Sequence, residues 1–425
     1  MGNRILIDET GRPKMSTRSH PIFNSTKHLI YTEKINTAFT ITIDTTKAGS
    51  ASDTFILPTY GSGYDAYIDW GDGGVIENIA GEPGNVSHQY SESGTYQIKI
   101  TGIFPTIYFN NSGDKLKLMS IDNWGEIVWN SMGYSFYGCS NMVGNYSDVP
   151  NLSSANSTFY MFGDCSLFDQ SVSSFDTSSI IDMGYMFFGC SSFNQSVSSF
   201  DTSNVINMAY MFYGCSSFNQ PVLFDTSKVT NMSFMFAQCF TFNQPLSGLT
   251  TSSVTDMRYM FMNCSSLNQS VSSFDTSNVT NMEGIFTFCS SFNQPVSNFN
   301  TSKVTSMRYM FGLCTSFNQS VSNFDTSNVT NMQYMFNTCY EFKQSLASFN
   351  MTKVTNAEDM CTGGDINVSG TTTNYDATLV AWELQDLVNN LTIGFGTSKY
   401  SDIGETARSA IISDDNWTIF DGGHI

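Results

Sequence analysis

Charge is scarce in this sequence. Only 13% of its 425 residues are Asp, Glu, Lys or Arg, about half the usual share of ~25%. Ser, Thr, Asn and Gln must therefore supply much of the water-facing surface. The charge that exists is one-sided: 37 acidic against 18 basic residues give a formal net charge of −19. Such a surface repels polyanions, which excludes nucleic acid as a partner held by counterion release. Histidine is rarer still, with four residues at 20, 28, 88 and 424, and no phosphate-binding loop is present. Base–nucleophile chemistry thus has little material to work with. Neither an enzymatic activity nor a cofactor is expected. No apolar run reaches the ~18 residues that a membrane span needs, so no membrane insertion is expected. The start, MGNRILIDETGRPKMSTRSH, lacks the continuous apolar segment of an export signal.

What the chain has instead is repetition. Its ten cysteines fall at 139, 165, 190, 215, 239, 264, 289, 314, 339 and 361, a spacing of 25 residues with small slips. A fixed period of this length marks a stacked repeat, in which each unit buries its apolar face only against its neighbours. Within a unit, Met257, Met260, Phe261 and Cys264 follow i, i+3, i+4, i+7, one face of a short helical segment. Phe292–Phe299, FNQPVSNF, reads as a short strand-like piece, with Pro295 at a position that donates no ladder bond. DTSNVT then turns a corner.

The columns formed by equivalent residues are the candidate sites. Cys190, Cys215, Cys239, Cys264, Cys289, Cys314 and Cys339 form a structural ladder in this reading. Their Cβ vectors run parallel in a regular stack, which disfavours disulfides, and the repeats hold no histidine to complete a zinc site. Buried reduced thiols behave as small hydrophobes. An Asn column (194, 219, 243, 268, 293, 318) is expected to bond the backbone of the neighbouring unit. Asp176, Asp201 and Asp225 are the weak calcium candidate. Replacement of the same position by Thr250, Asn300 and Asn350 favours side-chain-capped corners over a cation site. Tyr185, Tyr210, Phe234, Tyr259, Tyr309 and Tyr334, with a gap at Gly284, form an aromatic strip off the Met/Cys face. That strip is the ligand-binding candidate, because each tyrosine ring is apolar with a wet tip, and inter-unit stacking is its bland alternative.

The motif N-M-x-x-M-F-x-x-C-x-x-F-N-Q-x-V-x-x-F-D-T-S-x-V, present at Asn207–Val229 apart from one missing residue before Phe224, resembles the BspA-type surface repeat, a divergent leucine-rich-repeat family. That resemblance implies a curved solenoid of the kind found in extracellular surface and adhesion proteins. Residues 37–110 alternate as an antiparallel β region. Trp70-Gly71-Asp72-Gly73 with His88, Tyr90, Gly94 and Tyr96 resembles a PKD-type sandwich. His88 is expected to be a buried structural residue.

The expected organisation is a basic arm (1–36), a PKD-like β-sandwich (37–110), an N-terminal cap with Trp124 and Trp129 (111–138), leucine-rich-repeat-like solenoid coils of a short strand plus a short helical turn (139–361), and a small α/β cap (362–425). The expected role is a non-enzymatic binding or structural protein. Its setting is a virion or phage-like particle surface, contacting a cell-surface protein or glycan and docking to other particle proteins through the N-terminal region. A bacterial cell-surface adhesin is the alternative, and homo-oligomerisation stays open.

Overall fold

The computed structural model describes residues 37–425; the basic arm expected over 1–36 lies outside the described residues. β1 (Phe39–Asp44), β3 (Tyr64–Asp69), β4 (Glu77–Gly81), β6 (Thr95–Ile103), β7 (Leu118–Asn123) and β8 (Val143–Gly144) form one sheet in the order β4-β3-β6-β1-β7-β8. β2 (Thr54–Leu57) and β5 (Val86–Gln89) form a second, antiparallel pair. Alternation explains the main sheet: Ile41 and Ile43 of β1 and Ile98 and Ile100 of β6 are fully buried on one side. β7 pairs antiparallel with β1, so residues 118–123 belong to this sheet rather than to a separate cap. β8 then joins β7 in parallel and carries the sheet into the first repeat. Trp124 and Trp129 fill that junction with Phe39, ring centroids 5.9 and 5.0 Å from it.

The repeats contain neither α-helix nor β-strand of regular length between residues 145 and 372. The i, i+3, i+4, i+7 pattern belongs instead to a chain of tight turns. In one unit Met211 N donates to Met208 O, Cys215 N to Phe212 O and Phe218 N to Cys215 O. Intervening amides reach the next unit: Met208 N to Asn231 O, Tyr210 N to Ser233 O, Phe212 N to Met235 O, Gly214 N to Ala237 O. Parallel bridges run from Ser157 through Asp182, Asn207, Asn231, Asp256, Asn281, Ser306 and Asn331 to Asn356. Successive units are therefore stacked in register. A helix is blocked because two residues per unit are left-handed, for example Tyr210 (φ 58°) and Gly214 (φ 73°).

The core is built of columns. Phe187, Phe212, Phe236, Phe261, Phe286 and Phe311 stack at 5.6–5.8 Å with nearly parallel rings. Met, Val and Cys columns beside them are almost all 0% exposed. Beyond the last unit, α1 (Thr373–Glu383), β9 (Thr392–Gly394), α2 (Asp402–Asp415) and β10 (Thr418–Phe420) follow. β9 pairs in parallel with β10 and also takes the next rung, with Ala357 bridged to Ile393 and Cys361 N donating to Gly394 O. Trp382 Nε1 donates to Leu346 O, fixing α1 over the final unit. Among the described residues no helix is long and apolar enough to cross a membrane.

Candidate functional site: the aromatic face and the columns beside it

The thiols lie on the buried face as free cysteines. Each rung of the ladder from Cys165 to Cys339 donates Sγ–H to a phenylalanine carbonyl in the preceding unit, as in Cys190 to Phe162 O (2.9 Å), Cys264 to Phe236 O (2.9 Å) and Cys339 to Phe311 O (2.8 Å). Burial raises every thiol pKa well above its ordinary value. A thiolate nucleophile is therefore strongly disfavoured. Cys361 departs from the column. Phe336 N donates to Met360 O and Thr338 N to Thr362 O, so Cys361 stands in the phenylalanine column and Gly364 N, bonded to Cys361 O, marks the place a thiol would hold. The Met-Phe pair of that unit is replaced by Met360-Cys361.

The corner carboxylates do not converge. Asp176, Asp201 and Asp225 each accept from the amide of the serine two residues on (3.0–3.1 Å), and Asn300 and Asn350 accept likewise from Ser302 N and Thr352 N. Among the described residues no group of three or more His, Cys, Asp or Glu is placed to hold a metal ion. These positions act as the side-chain-capped corners that the Thr250, Asn300 and Asn350 replacements favoured. The Asn column bonds upward as expected: Asn219 N to Asn194 Oδ1, Asn268 N to Asn243 Oδ1, Asn318 N to Asn293 Oδ1 (2.9 Å each). A threonine ladder completes the corners and was not singled out from the sequence. Thr177, Thr202 and Thr276 are buried and donate to Asp201 O, Asp225 O and Asn300 O of the next unit. Its signal was the threonine after nearly every corner residue.

The aromatic strip is where the surface is left over. Tyr185, Tyr210, Phe234 and Tyr259 are half-buried and stack face to face at 4.4, 4.5 and 4.8 Å. Tyr309 and Tyr334 stack at 4.7 Å on the far side of the gap. The ring of Tyr259 fills that gap, since a Cβ on Gly284 would lie 2.2 Å from it. All six strip residues hold left-handed φ near +57°, an unusual state for a bulky side chain. Ring stacking, on both sides for Tyr185, Tyr210 and Phe234 and on one side for Tyr259, Tyr309 and Tyr334, and an amide bond to the next unit hold them there. Burial pushes the Tyr185 phenol up to about 12, with Tyr210 adding to it. The faces of the strip are spent on each other, so it presents ring edges and hydroxyl tips to solvent.

Two further rings extend the strip. Tyr160 stacks on Tyr185 at 4.3 Å and Tyr134 on Tyr160 at 5.6 Å. Both stand five residues before a cysteine, the rule that defined the other positions, so the sequence carried that signal. Tyr108 and Tyr60 of the β region continue the band by stacking at 4.6 Å, which no periodicity could reveal. The position before the strip changes character along the stack. Gly184, Ala209 and Ser233 give way to Arg258, Glu283, Arg308, Gln333 and Glu358. Arg308 bonds Glu283 at 2.9 Å and Gln333 at 3.0 Å, and lies 4.7 Å over the Tyr309 ring.

In the β region Trp70 is 2% exposed and donates Nε1–H to Glu77. His88 stacks on it at 4.6 Å and meets Asp72 at 2.8 Å. His88 is only half-buried, so it caps the tryptophan from the rim rather than lying in the core.

Neither a curated protein nor a solved structure matches the chain. The family model described as "Mycoplasma protein of unknown function, DUF285" matches residues 130–223, 222–287 and 268–375. Those matches follow the stacked units through more than half of the chain, which belongs to this family.

Proposed function

We propose that the protein is a non-enzymatic, surface-exposed binding or structural protein of the BspA repeat type, and that its stacked units form a leucine-rich-repeat-like solenoid. The observation that carries this reading is the division of labour among the columns. Thiol, threonine, asparagine and corner residues are consumed by bonds between units, as in Cys264 to Phe236 and Asn268 to Asn243. The aromatic band from Tyr134 to Tyr259 is left half-exposed along the stack. Half-exposed aromatic strips with polar tips suit recognition of a protein or glycan. A PKD-like reading of the β region rests on Trp70, Gly71 and Asp72 and places a spacer beside the recognition surface.

The setting is a cell surface or the outside of a virus-like particle. Attachment of the purified protein to host cells tests the role. Tyr210→Ala combined with Tyr259→Ala should lower attachment several-fold while the unfolding midpoint shows an intact stack. Undiminished attachment by that variant would sink the strip as the binding surface. Recovery of the chain in purified particles or in cell envelopes then separates the two settings.

A further inference from the structure

The aromatic band ends in a corner, and the corner has the chemistry of a cation site. A cavity of about 470 Å³ opens where the β region meets the first units, walled by Tyr60, Tyr108, Tyr134 and Phe159 with Asp182 at its side. That volume falls in the range of roughly 300–1,000 Å³ usual for small-molecule sites. Along the strip the rings lie parallel and cover each other. Here they turn: Tyr108 meets Tyr134 at 64° and Phe159 meets Tyr134 at 66°. Rings at such angles form the sides of a box.

The lining is also charge-selective. Among the described residues that line it there is one carboxylate and no Lys, Arg or His. Asp182 Oδ1 accepts from Gly184 N and Asn207 Nδ2, both at 2.9 Å, which leaves Oδ2 for a ligand. The walls are held in place. Tyr64 Oη donates to Thr106 O at 2.8 Å, Thr106 Oγ1 donates to Tyr60 O at 2.9 Å, and Tyr108 N donates to Pro58 O. Aromatic faces attract cations through their quadrupole, and desolvated quaternary ammonium groups gain most, since they carry no N–H that must be satisfied. The net charge of −19 draws cations toward the surface and repels anions.

We propose that this corner binds a quaternary or methylated ammonium group, held against Tyr108, Tyr134 and Phe159, with Tyr60 stacked behind Tyr108, and neutralised by Asp182. The proposal rests on the binding reading of the aromatic face and gives it a ligand class. The strip and the corner are nevertheless separable. The attachment assay reads Tyr210 and Tyr259, whereas the corner is read with a soluble probe.

The test is calorimetric titration of the full chain with choline, with its uncharged isostere 3,3-dimethylbutanol and with a neutral monosaccharide. Choline should bind with one site per chain, and the isostere should bind about tenfold more weakly, the loss expected when cation–π attraction is removed. Asp182→Asn should weaken choline several-fold without disturbing the fold, because Asn207, Asn231 and Asn281 already serve at equivalent bridge positions. Tyr108→Ala should weaken it further, and circular dichroism of both variants should match the parent. Absence of choline binding, equal binding of the isostere, unchanged affinity in Asp182→Asn, or saturation by the monosaccharide that choline cannot displace would each overturn the proposal.

Discussion

The two halves of the aromatic face share one backbone and differ in what they do with it. From Tyr134 to Tyr259 the rings stack without interruption, beside the small residues Gly184, Ala209 and Ser233. From Arg258 onward the stack is broken at Gly284, and an Arg–Glu–Arg–Gln column spans the units through Arg308, Glu283 and Gln333. Beneath both halves the Phe and Cys columns continue as far as Phe336 and Cys339. Inter-unit order is therefore set by the core and corners, and the face is free to vary. The first half leads into the cavity at Tyr108 and Asp182, whereas the second satisfies its own charges.

Predictions that would break this comparison start with the core. Phe187→Ala in the first half and Phe286→Ala in the second should each cost about 3–5 kcal/mol, the usual range for a buried phenylalanine, read from denaturant unfolding. A large difference between them would show that the halves do not share a core. Cys264→Ala removes the Sγ–H bond to Phe236 O and should cost about 1–2 kcal/mol, with Cys190→Ala alike.

The faces should then diverge. Tyr210→Ala removes two ring stacks and should cost about 1 kcal/mol independently of salt. Arg308→Ala should cost less than about 1 kcal/mol, and raising the salt should erase the loss. Equal salt responses from the two variants would remove the distinction drawn between the halves.

The smallest effect is in pH. The pKa values of Asp176, Asp201, Asp225 and Asp325 are held below the ordinary carboxylate value by the hydroxyl and amide of the serine two residues on, and that of Asp275 chiefly by the amide. Depressed folded-state values contribute stability above the unfolded pKa of about 3.9, lost as pH falls through the folded values. The unfolding midpoint should stay flat from neutrality to about pH 5 and fall below about pH 4. Asp225→Asn, which copies Asn300, should blunt that fall slightly and leave the midpoint at neutrality in place.

The period, the inward thiols and the inter-unit role of Asn194 to Asn318 were legible because each is a property of one residue column. Turn conformation was not. Met257, Met260, Phe261 and Cys264 mimic a helical face, since a chain of three-residue turns returns apolar side chains to one side at similar spacing. What defeats the helix is the left-handed φ at Tyr259 and Asn263; the bulky tyrosine does not announce it, although Asn263 and the equivalent Gly189 and Gly214 are residue types that favour that region. Cys361 follows Cys339 by 22 residues because it stands in the phenylalanine position of its unit, a substitution that spacing alone does not reveal. The cavity was hidden for another reason: its walls meet through contacts between segments distant in sequence, Tyr108 N bonding Pro58 O, Asn110 N bonding Tyr134 O and Tyr134 N bonding Phe159 O.

The account stands on the claim that the cysteines are packing, and that function lies outside them. Thiol titration of the native protein without reductant tests this most directly. The stack predicts almost no reaction before unfolding and ten free thiols after denaturation, matching the ten buried cysteines. Rapid reaction of native thiols, or fewer than ten after denaturation, would contradict it.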